Sequence, residues 1–330
     1  VYYAAFKCGV PVVQTMHNFR LLCPGGSFFR QNPGDDSQGK VCEDCASRGL
    51  SCAVKHSCYR NSRVQTIVSA AILKIHRMLG TYRKINFICL TKFNKYKLLQ
   101  LNDKGKAVDP DKIFIKPNFT YDLHDRLNGS EAAESGHSEN ETYGSEAAES
   151  EFVDGYYVFA GRLEKLKGIE LLVEAFAKMP QRHIYVMGDG PLAGQVKDKC
   201  RKENIQNVHF IGRTGGSRYA KILGGAKALI VPSQCYETFG MGIAEGYSLG
   251  VPAIAGDIGN IGDIVIEGKT GLHFEYNSTD SLVAAVERLD SMDIEALRKN
   301  AVRYYRENLT PERNYRMLKE IYDSICETHC

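Results

Sequence analysis

The stretch VPSQCYETFGMGIAEGYSLGVP, residues 231–252, constrains the fold of this chain more than any other part of the sequence. An apolar run, ALIV at 228–231, ends at Pro232, and a helix-compatible segment rich in small residues begins near Phe239. This order predicts a strand, a loop and a helix, which places free helix-start N–H groups beyond the carboxyl end of a strand. Such a helix start binds anions, so we expect an anionic ligand here.

Two glutamates, Glu237 and Glu245, stand eight residues apart in this stretch. Eight steps of about 100° do not return to one helix face, so we do not expect the pair to form a single carboxylate dyad. We place Glu237 on the loop and Glu245 nearly two turns inside the helix, roughly 9 to 12 Å away. That separation suits two ends of one ligand, although two solvated glutamates at a helix end would have the same spacing.

The segment ETFGMGIAE resembles the nucleotide-sugar signature of glycosyltransferase family 4, which comprises retaining enzymes with the GT-B fold. The resemblance implies that Glu237 contacts the transferred sugar and that Glu245 contacts the ribose hydroxyls. The segments HNFRLLCPGG, VCEDC and HSCYR are similar to bacterial exopolysaccharide and lipopolysaccharide glycosyltransferases. The chain departs from the family at Gly262 and Asp263, where Pro-Glu is usual, so the contact of that glutamate is not carried over.

A second strand-and-turn pattern, YYVFAGRLEKLKG, contains two cations that flank a glycine turn, Arg162 and Lys167. An arginine offers a planar fork to phosphate oxygens and a lysine offers a point charge, so together they suit a diphosphate. The family's matching pair binds the donor diphosphate, whereas two solvated surface charges are the alternative interpretation. Gly161 permits the turn, and Gly188, in HIYVMGDGP, lets the backbone approach a nucleotide.

The resemblance implies a mechanism without a divalent metal. Arg162, Lys167 and the helix start at Thr238, Phe239 and Gly240 would stabilise the nucleoside diphosphate as negative charge builds on it. The implied donor is a nucleotide-diphosphate sugar of the UDP or GDP type, and transfer with retention is implied by the resemblance alone.

His17 follows the apolar pattern VPVVQT, at the point where ligand-facing residues collect in open α/β sheets. Family members place a sugar-contacting histidine after this strand. A histidine with a purely structural role is the alternative.

Cysteines cluster between residues 23 and 58. A CxxC pair followed by HxC has the spacing of a tetrahedral zinc site, and reduced thiols are the alternative. The best zinc ligands are Cys42, Cys45 and Cys58, with Cys23 as the fourth and Cys52 or His56 competing for that place.

Residues 55–106 contain twelve Lys and Arg against one acid, Asp103, although the net charge of the chain is only +3. Within them, VQTIVSAAILKIHRMLGTYRK has helical apolar periodicity. We expect a basic helical face that contacts anionic lipid on the inner side of the cell membrane. A solvated face or a nucleic-acid patch would look similar; we favour the membrane and expect no nucleic-acid partner.

Alternating strands and helices predict an α/β chain with two Rossmann-like, doubly wound domains of the GT-B type facing a cleft. Residues 1–120 would form an acceptor domain that starts inside its fold and so appears truncated. Residues 121–155 would be an acidic linker with two GSEAAES repeats, and 156–330 the nucleotide-sugar domain. Three C-terminal helices follow, the last of which commonly crosses back to the first domain in this fold.

The sequence contains no run of about eighteen apolar residues and no signal-peptide pattern, so we expect a cytoplasmic protein. Two further functions remain open. One is a GT-B nucleotide-sugar epimerase, and the other is a truncated, inactive module that binds nucleotide or membrane.

Overall fold

The computed structural model describes residues 1–30, 39–104, 107–127 and 152–327. The chain divides into two compact units. Unit 1 comprises Val1–Asn118, Cys235–Phe239 and Glu312–Cys330, and unit 2 comprises Phe119–Gln234 and Gly240–Pro311. No helix in the described part is both long and apolar enough to cross a membrane.

Unit 1 is built on a parallel sheet of three strands in the order β1-β4-β5, beside a short antiparallel hairpin, β2-β3. The strands are β1 (Val12–Thr15), β2 (Phe29–Arg30), β3 (Lys40–Val41), β4 (Ile85–Cys89) and β5 (Ile113–Ile115). Its helices are α1 (Tyr2–Lys7), α2 (Asp44–Ser47), α3 (Ser51–Lys55), α4 (Arg63–Met78), α5 (Lys92–Leu99) and α14 (Pro311–Glu327).

The central strand of unit 1, β4, is buried along its whole length, as expected for a parallel strand covered on both faces. Helix α5 begins where the Thr91 hydroxyl accepts a hydrogen bond from the Asn94 N–H, an N-cap that satisfies a helix-start donor. The C-terminal helix α14 packs Ile321 and Ile325 against Ile88 of β4.

Unit 2 contains one parallel sheet of six strands in the order β11-β10-β9-β6-β7-β8. The strands are β6 (Tyr157–Ala160), β7 (Ile184–Met187), β8 (Val208–Gly212), β9 (Ala228–Val231), β10 (Ala253–Gly256) and β11 (Gly271–Phe274). The helices are α6 (His124–Leu127), α7 (Ile169–Ala177), α8 (Ala193–Lys202), α9 (Gly216–Gly224), α10 (Met241–Ser248), α11 (Ile261–Ile264), α12 (Thr279–Asp290) and α13 (Ile294–Asn308).

Numbered within unit 2 and read from β8, this sheet has the strand order 3-2-1-4-5-6, the doubly wound Rossmann order. The predicted parallel α/β sheet is therefore confirmed. The strand order reverses between β6 and β9, and ligands of such sheets bind outside the carboxyl ends of the strands at this switch point.

A half-buried carboxylate, Asp290 at the end of α12, ties the strands of the switch point together. It accepts hydrogen bonds from the Tyr157 hydroxyl of β6 at 2.7 Å, from Arg182 and from Lys227, which directly precedes β9. Burial raises the pKa of Asp290, but the hydrogen bonds from Lys227, Tyr157 and Arg182 outweigh it and bring the pKa below its ordinary value. Asp290 therefore fixes β6 relative to β9.

The units differ from the predicted domains in their boundaries. The first unit ends its N-terminal part at Asn118, and residues 235–239 and 312–330 of the predicted C-terminal domain belong to unit 1. Residues 119–120 of the predicted first domain, and residues 121–127 and 152–155 of the predicted linker, belong to unit 2, and both GSEAAES repeats lie outside the described residues.

Candidate functional site

Two glycine turns meet at the carboxyl ends of β6 and β7 in unit 2. The Gly161 N–H donates to the carbonyl of Met187 at 3.0 Å, and the Gly188 N–H donates to that of Gly212 at 2.8 Å. Gly188 has φ +140°, and a Cβ there would lie 1.9 Å from the carbonyl oxygen of Gly161. Only glycine fits this close approach, so no side chain can stand at position 188 between the two turns.

The loop that contains Arg162 and Lys167, the two residues predicted to bind the diphosphate, is hydrogen-bonded to the segment that follows β9. Lys167 closes a short 3-10 turn, Lys165–Lys167, and the Gln234 N–H donates to the carbonyl of Leu166 at 2.7 Å. Gly168 has φ +70°, and a Cβ there would lie 1.9 Å from the carbonyl oxygen of Pro232. The structure therefore holds the Lys167 backbone at the switch point.

Arg162 lies on the same loop, directly after Gly161. Its side chain is 66% exposed and its Nε lies 3.4 Å from Glu164 Oε2. At that distance and exposure the ion pair is weak, so it does not keep the guanidinium from a phosphate.

Helix α10 begins at Met241, two residues later than the sequence predicted, because Gly240 takes the left-handed conformation with φ +94° and forms the N-cap. Thr238 and Phe239 therefore stand on the loop before the helix. The first turn of α10 contains no acidic side chain, so no residue of its own neutralises the positive end of the helix dipole.

Glu245 lies in the second turn of α10 and is held by a neighbour on another helix. The Tyr219 hydroxyl of α9 donates to Glu245 Oε2 at 2.6 Å. Burial raises the pKa of Glu245, and the Tyr219 hydrogen bond and the charge of Arg126 lower it in part. The sequence pattern did not identify Tyr219 or Arg126, because both lie far from Glu245 along the chain.

In unit 1, the segment Cys235–Phe239 lies beside the loops that follow β1 and β4. The ring of Tyr236 lies 6.3 Å from Phe19, 5.6 Å from Phe28 and 4.9 Å from Phe93, centroid to centroid. His17, which is exposed, precedes Phe19 by two residues, and Glu237 follows Tyr236. The two predicted sugar-contacting residues therefore belong to one end of the unit 1 sheet.

The Tyr236 hydroxyl also donates a hydrogen bond to Glu43. Glu43 accepts a second from Lys97 Nζ at 2.6 Å, and the Lys97 side chain is only 5% exposed. Burial raises the pKa of Glu43, but the hydrogen bonds from Lys97 and Tyr236 bring it below its ordinary value. The sequence assigned no role to Glu43, and it counted Lys97 among the basic surface residues, which the structure corrects.

The backbone of Thr238 has its own anchor within unit 1. Asn94 Nδ2 donates to the Thr238 carbonyl at 2.7 Å, and Asn94 is fully buried. The loop that carries Glu237 is thus held by Tyr236 on one side and by Thr238 on the other.

The structure does not support the predicted zinc site. Cys23 and Cys45 are buried and Cys42 and Cys58 are half-buried, but among the described residues no three His, Cys, Asp or Glu side chains are grouped to hold a metal. Burial, with a contribution from neighbouring thiols, raises the pKa of Cys45 to about 12 and that of Cys58 to about 11.

Comparison with known proteins identifies relatives. Residues 148–308 match the family model described as Glycosyl transferases group 1. An uncharacterized glycosyltransferase of Methanocaldococcus jannaschii, MJ1178, is 31% identical over 142 residues, which are 43% of this chain and 39% of the relative. The O-antigen chain mannosyltransferase C of Escherichia coli is 24% identical over 179 residues, 53% of this chain and 48% of the relative. The chain thus spans less than half the length of each relative.

Among solved structures, Anabaena HepE in complex with UDP aligns with a TM-score of 0.63 at 14% identity, over 99% of this chain and 75% of HepE. A likeness at this identity shows the fold, which is GT-B. The predicted fold class is confirmed.

Proposed function

We propose that the protein is a glycosyltransferase that transfers a hexose from a UDP- or GDP-type nucleotide sugar to a glycan or lipid-linked acceptor, because residues 148–308 match the model described as Glycosyl transferases group 1. We further propose that transfer retains the anomeric configuration and serves the synthesis of cell-surface polysaccharide on the cytoplasmic side of the membrane. The observation that carries the proposal is the position of the Lys167 turn. The hydrogen bond from the Gln234 N–H to the Leu166 carbonyl holds this turn at the end of β9, next to the turns of Gly161 and Gly188.

The diphosphate of the donor binds at the switch point of unit 2. Lys167 and Arg162 supply positive charge on one loop, and the start of α10 supplies N–H groups and the positive end of its dipole. As the bond to the sugar breaks, negative charge builds on the departing diphosphate. Fixed charges and dipoles stabilise that charge without reorganising, and loss of one such group commonly costs about 10²- to 10³-fold in rate.

The ribose binds Glu245. A carboxylate has two oxygens and about four acceptor positions, and Tyr219 uses one of them while it orients the group. Burial raises the pKa of Tyr219 well above its ordinary value, so its hydroxyl remains a hydrogen-bond donor. The remaining positions suit the two hydroxyls of a ribose.

The transferred sugar binds His17 and Glu237. His17 precedes Phe19 by two residues and Glu237 directly follows Tyr236, and the rings of Phe19 and Tyr236 pack against each other. The anchors at Glu43 and Asn94 hold the Glu237 loop in one conformation, which favours a productive geometry for the sugar.

The comparisons support this donor and acceptor class. HepE was crystallised with UDP and with UDP-glucose, and the Escherichia coli relative is named for the O-antigen chain. We therefore place UDP-sugars first among the donors to be tested.

The experiment incubates the full 330-residue chain with UDP- and GDP-sugars and extracted cytoplasmic-membrane lipids or oligosaccharides, with mass spectrometry of all products. Acceptor-dependent release of nucleoside diphosphate together with a glycosylated acceptor is the expected result. An isomerised sugar formed without acceptor would instead identify a nucleotide-sugar epimerase, and release of nothing while nucleotide still binds would identify an inactive binding module.

A further inference from the structure

Two arginines of unit 1 contact the same tyrosine ring at the carboxyl end of β1. The guanidinium carbon of Arg20 lies 4.8 Å from the centroid of the Tyr59 ring, and that of Arg60 lies 5.4 Å from the same centroid. Both arginines are exposed, Tyr59 is half-buried, and Arg20 follows His17 by three residues. We call Arg20, Tyr59 and Arg60 the arginine clamp.

The loop that contains Arg20 is fixed by hydrogen bonds on both sides of this residue. The Phe19 N–H donates to the Gly26 carbonyl at 3.0 Å, which closes the loop on itself. Arg77 Nη2 donates to the carbonyl of Leu21 at 2.6 Å, which holds the loop against α4. The position of Arg20 therefore follows from the fold of unit 1 and does not depend on a ligand.

The segment that contains Tyr59 and Arg60 has an unfavourable backbone conformation. Ser57, Arg60 and Asn61 have φ values of 50°, 54° and 53°, in the left-handed region that residues with a side chain rarely adopt. The Tyr59 N–H donates to Oγ1 of the fully buried Thr66 at 3.0 Å, and this hydrogen bond holds the segment on α4. Strained residues of this kind cluster where a fold positions side chains for a ligand.

Both charges of the arginine clamp are available to an anion. Among the described residues, neither guanidinium of the clamp has a carboxylate partner. Other cations of unit 1 do have one, since Arg30 lies 3.0 Å from Asp44 and Lys97 lies 2.6 Å from Glu43. The sequence contains no acid between residues 55 and 102.

The geometry of the arginine clamp suits a diphosphate better than a single carboxylate. Stacking on the Tyr59 ring uses the flat face of a guanidinium and leaves its N–H fork free for phosphate oxygens, at about 2.8 Å. The two guanidinium carbons are at most about 10 Å apart, because both distances end at one ring centroid. A diphosphate diester carries one negative charge on each phosphoryl group, so it can engage both forks, whereas a carboxylate engages one.

We propose that the arginine clamp binds the diphosphate of an acceptor glycan that is esterified to a diphosphate. Arg20 and Arg60 contact the two phosphoryl groups, and Tyr59 is the residue that positions them. This inference rests on the proposed transferase function, because it names the acceptor of that reaction. We assign the clamp to the acceptor because it lies near His17 in unit 1, whereas the donor diphosphate is assigned to unit 2.

The experiment measures the binding of two matched probes to the full chain by isothermal titration, without donor. One probe is octyl diphosphoglucose, in which a diphosphate joins glucose to octanol, and the other is octyl glucoside, which lacks the diphosphate. We expect the wild type to bind the diphosphate probe at least about tenfold more tightly. Arg20→Gln and Arg60→Gln should each weaken binding of the diphosphate probe about tenfold. Tyr59→Leu should weaken it about threefold, whereas Tyr59→Phe, which keeps the ring, should bind as the wild type does.

The matched control is Arg83→Gln, because Arg83 is an exposed arginine that precedes β4 at the opposite end of the same sheet. Lys167→Ala should also bind the diphosphate probe as the wild type does, which distinguishes the arginine clamp from the donor site. Thermal unfolding confirms that each variant is folded.

Two results would overturn the proposal. One is equal affinity of the wild type for the two probes, and the other is an affinity of the Arg20 and Arg60 variants equal to that of Arg83→Gln. Weaker binding in Lys167→Ala alone would assign the diphosphate probe to the donor site and would also overturn it. A protein that binds the probe through the arginine clamp but transfers no sugar would contradict the proposed function and leave the clamp confirmed.

Discussion

The hydroxyl of Tyr236 donates a hydrogen bond to the carboxylate of Glu43, which joins the residue before Glu237 to the CEDC segment of unit 1. Lys97 neutralises the same carboxylate from a buried position. The Cys-rich segment thus supports the loop of the most informative sequence motif, and this support involves Glu43 rather than a metal ligand.

Removal of the Tyr236 hydroxyl should therefore impair transfer more than folding. Tyr236→Phe keeps the ring in its aromatic cluster but deprives Glu43 of a donor, and a hydrogen bond to a charged group is worth about 1.5 to 3 kcal/mol. We expect kcat/KM to fall about tenfold or more, while the donor Kd changes little because the diphosphate and ribose contacts remain. Tyr322→Phe, at an exposed tyrosine of α14, is the matched control. Equal kcat/KM in both variants would show that the anchor has no role in transfer.

Much of the fold was predictable from the sequence, because strand-then-glycine patterns such as YVFAG and YVMGDG repeat at regular intervals and imply a parallel sheet. Gly188 and Gly168 are required by local backbone geometry, so their positions in turns were also predictable. The hydrogen-bond partners of Glu245 and Glu43 could not be predicted from the sequence, because Tyr219 and Tyr236 come close to them only in the tertiary fold. The direction of the α4 face was likewise unpredictable, because helical periodicity gives the width of an apolar stripe but not which side packs on the sheet.

The glycine pair at the switch point should tolerate no side chain. Gly188→Ala would place a Cβ 1.9 Å from the Gly161 carbonyl at a φ of +140°, so the β7 turn must move. We expect a lower unfolding temperature and a loss of donor affinity of tenfold or more. Gly194→Ala in α8 meets nothing within 4 Å and should be neutral or stabilising by up to about 1 kcal/mol. Calorimetric unfolding and donor titration of the two variants test this difference; similar behaviour would contradict it.

We expect the Glu245 carboxylate to lower the stability of the fold at neutral pH and to increase the affinity for the donor. Burial raises its folded-state pKa above the unfolded value, so folding is favoured by protonation at low pH and that advantage is lost as pH rises through the folded pKa. Glu245→Gln removes the buried charge, so we expect equal or greater stability at neutral pH but donor affinity reduced about tenfold. Tyr219→Phe keeps the Glu245 charge but removes the hydroxyl that donates a hydrogen bond to it, so it should lower both the stability and the affinity for the nucleotide sugar. Urea unfolding at several pH values and donor titration distinguish these patterns, and a Glu245→Gln variant with full donor affinity would exclude the ribose contact.

Asp290 should contribute stability that depends on pH in the opposite sense. Its folded-state pKa lies below the unfolded value, so its contribution is present above the unfolded pKa and is lost as pH falls through the folded pKa. Asp290→Asn leaves Arg182 and Lys227 without their carboxylate, and we expect a loss of about 2 to 3 kcal/mol in the free energy of unfolding at neutral pH. Asp280→Asn removes an exposed partner of Lys178 and should change stability by less than about 0.5 kcal/mol. Denaturant unfolding from neutral to acidic pH checks both, and an equal loss in the two variants would show that the hydrogen bonds of Asp290 contribute no more stability than an exposed ion pair.

The donor affinity of Lys167→Ala, measured by isothermal titration with UDP- and GDP-sugars, tests the central claim most directly. Lys165→Ala, two residues earlier in the same 3-10 turn, is the matched control. If Lys167 binds the diphosphate at the switch point, its removal weakens donor binding about 10- to 100-fold, as expected for a charged contact of about 1.5 to 3 kcal/mol. Lys165→Ala and the wild type should then bind alike, and all three should unfold at the same temperature. An unchanged Kd for Lys167→Ala, with a nucleotide sugar that the wild type binds, would contradict the proposed donor site.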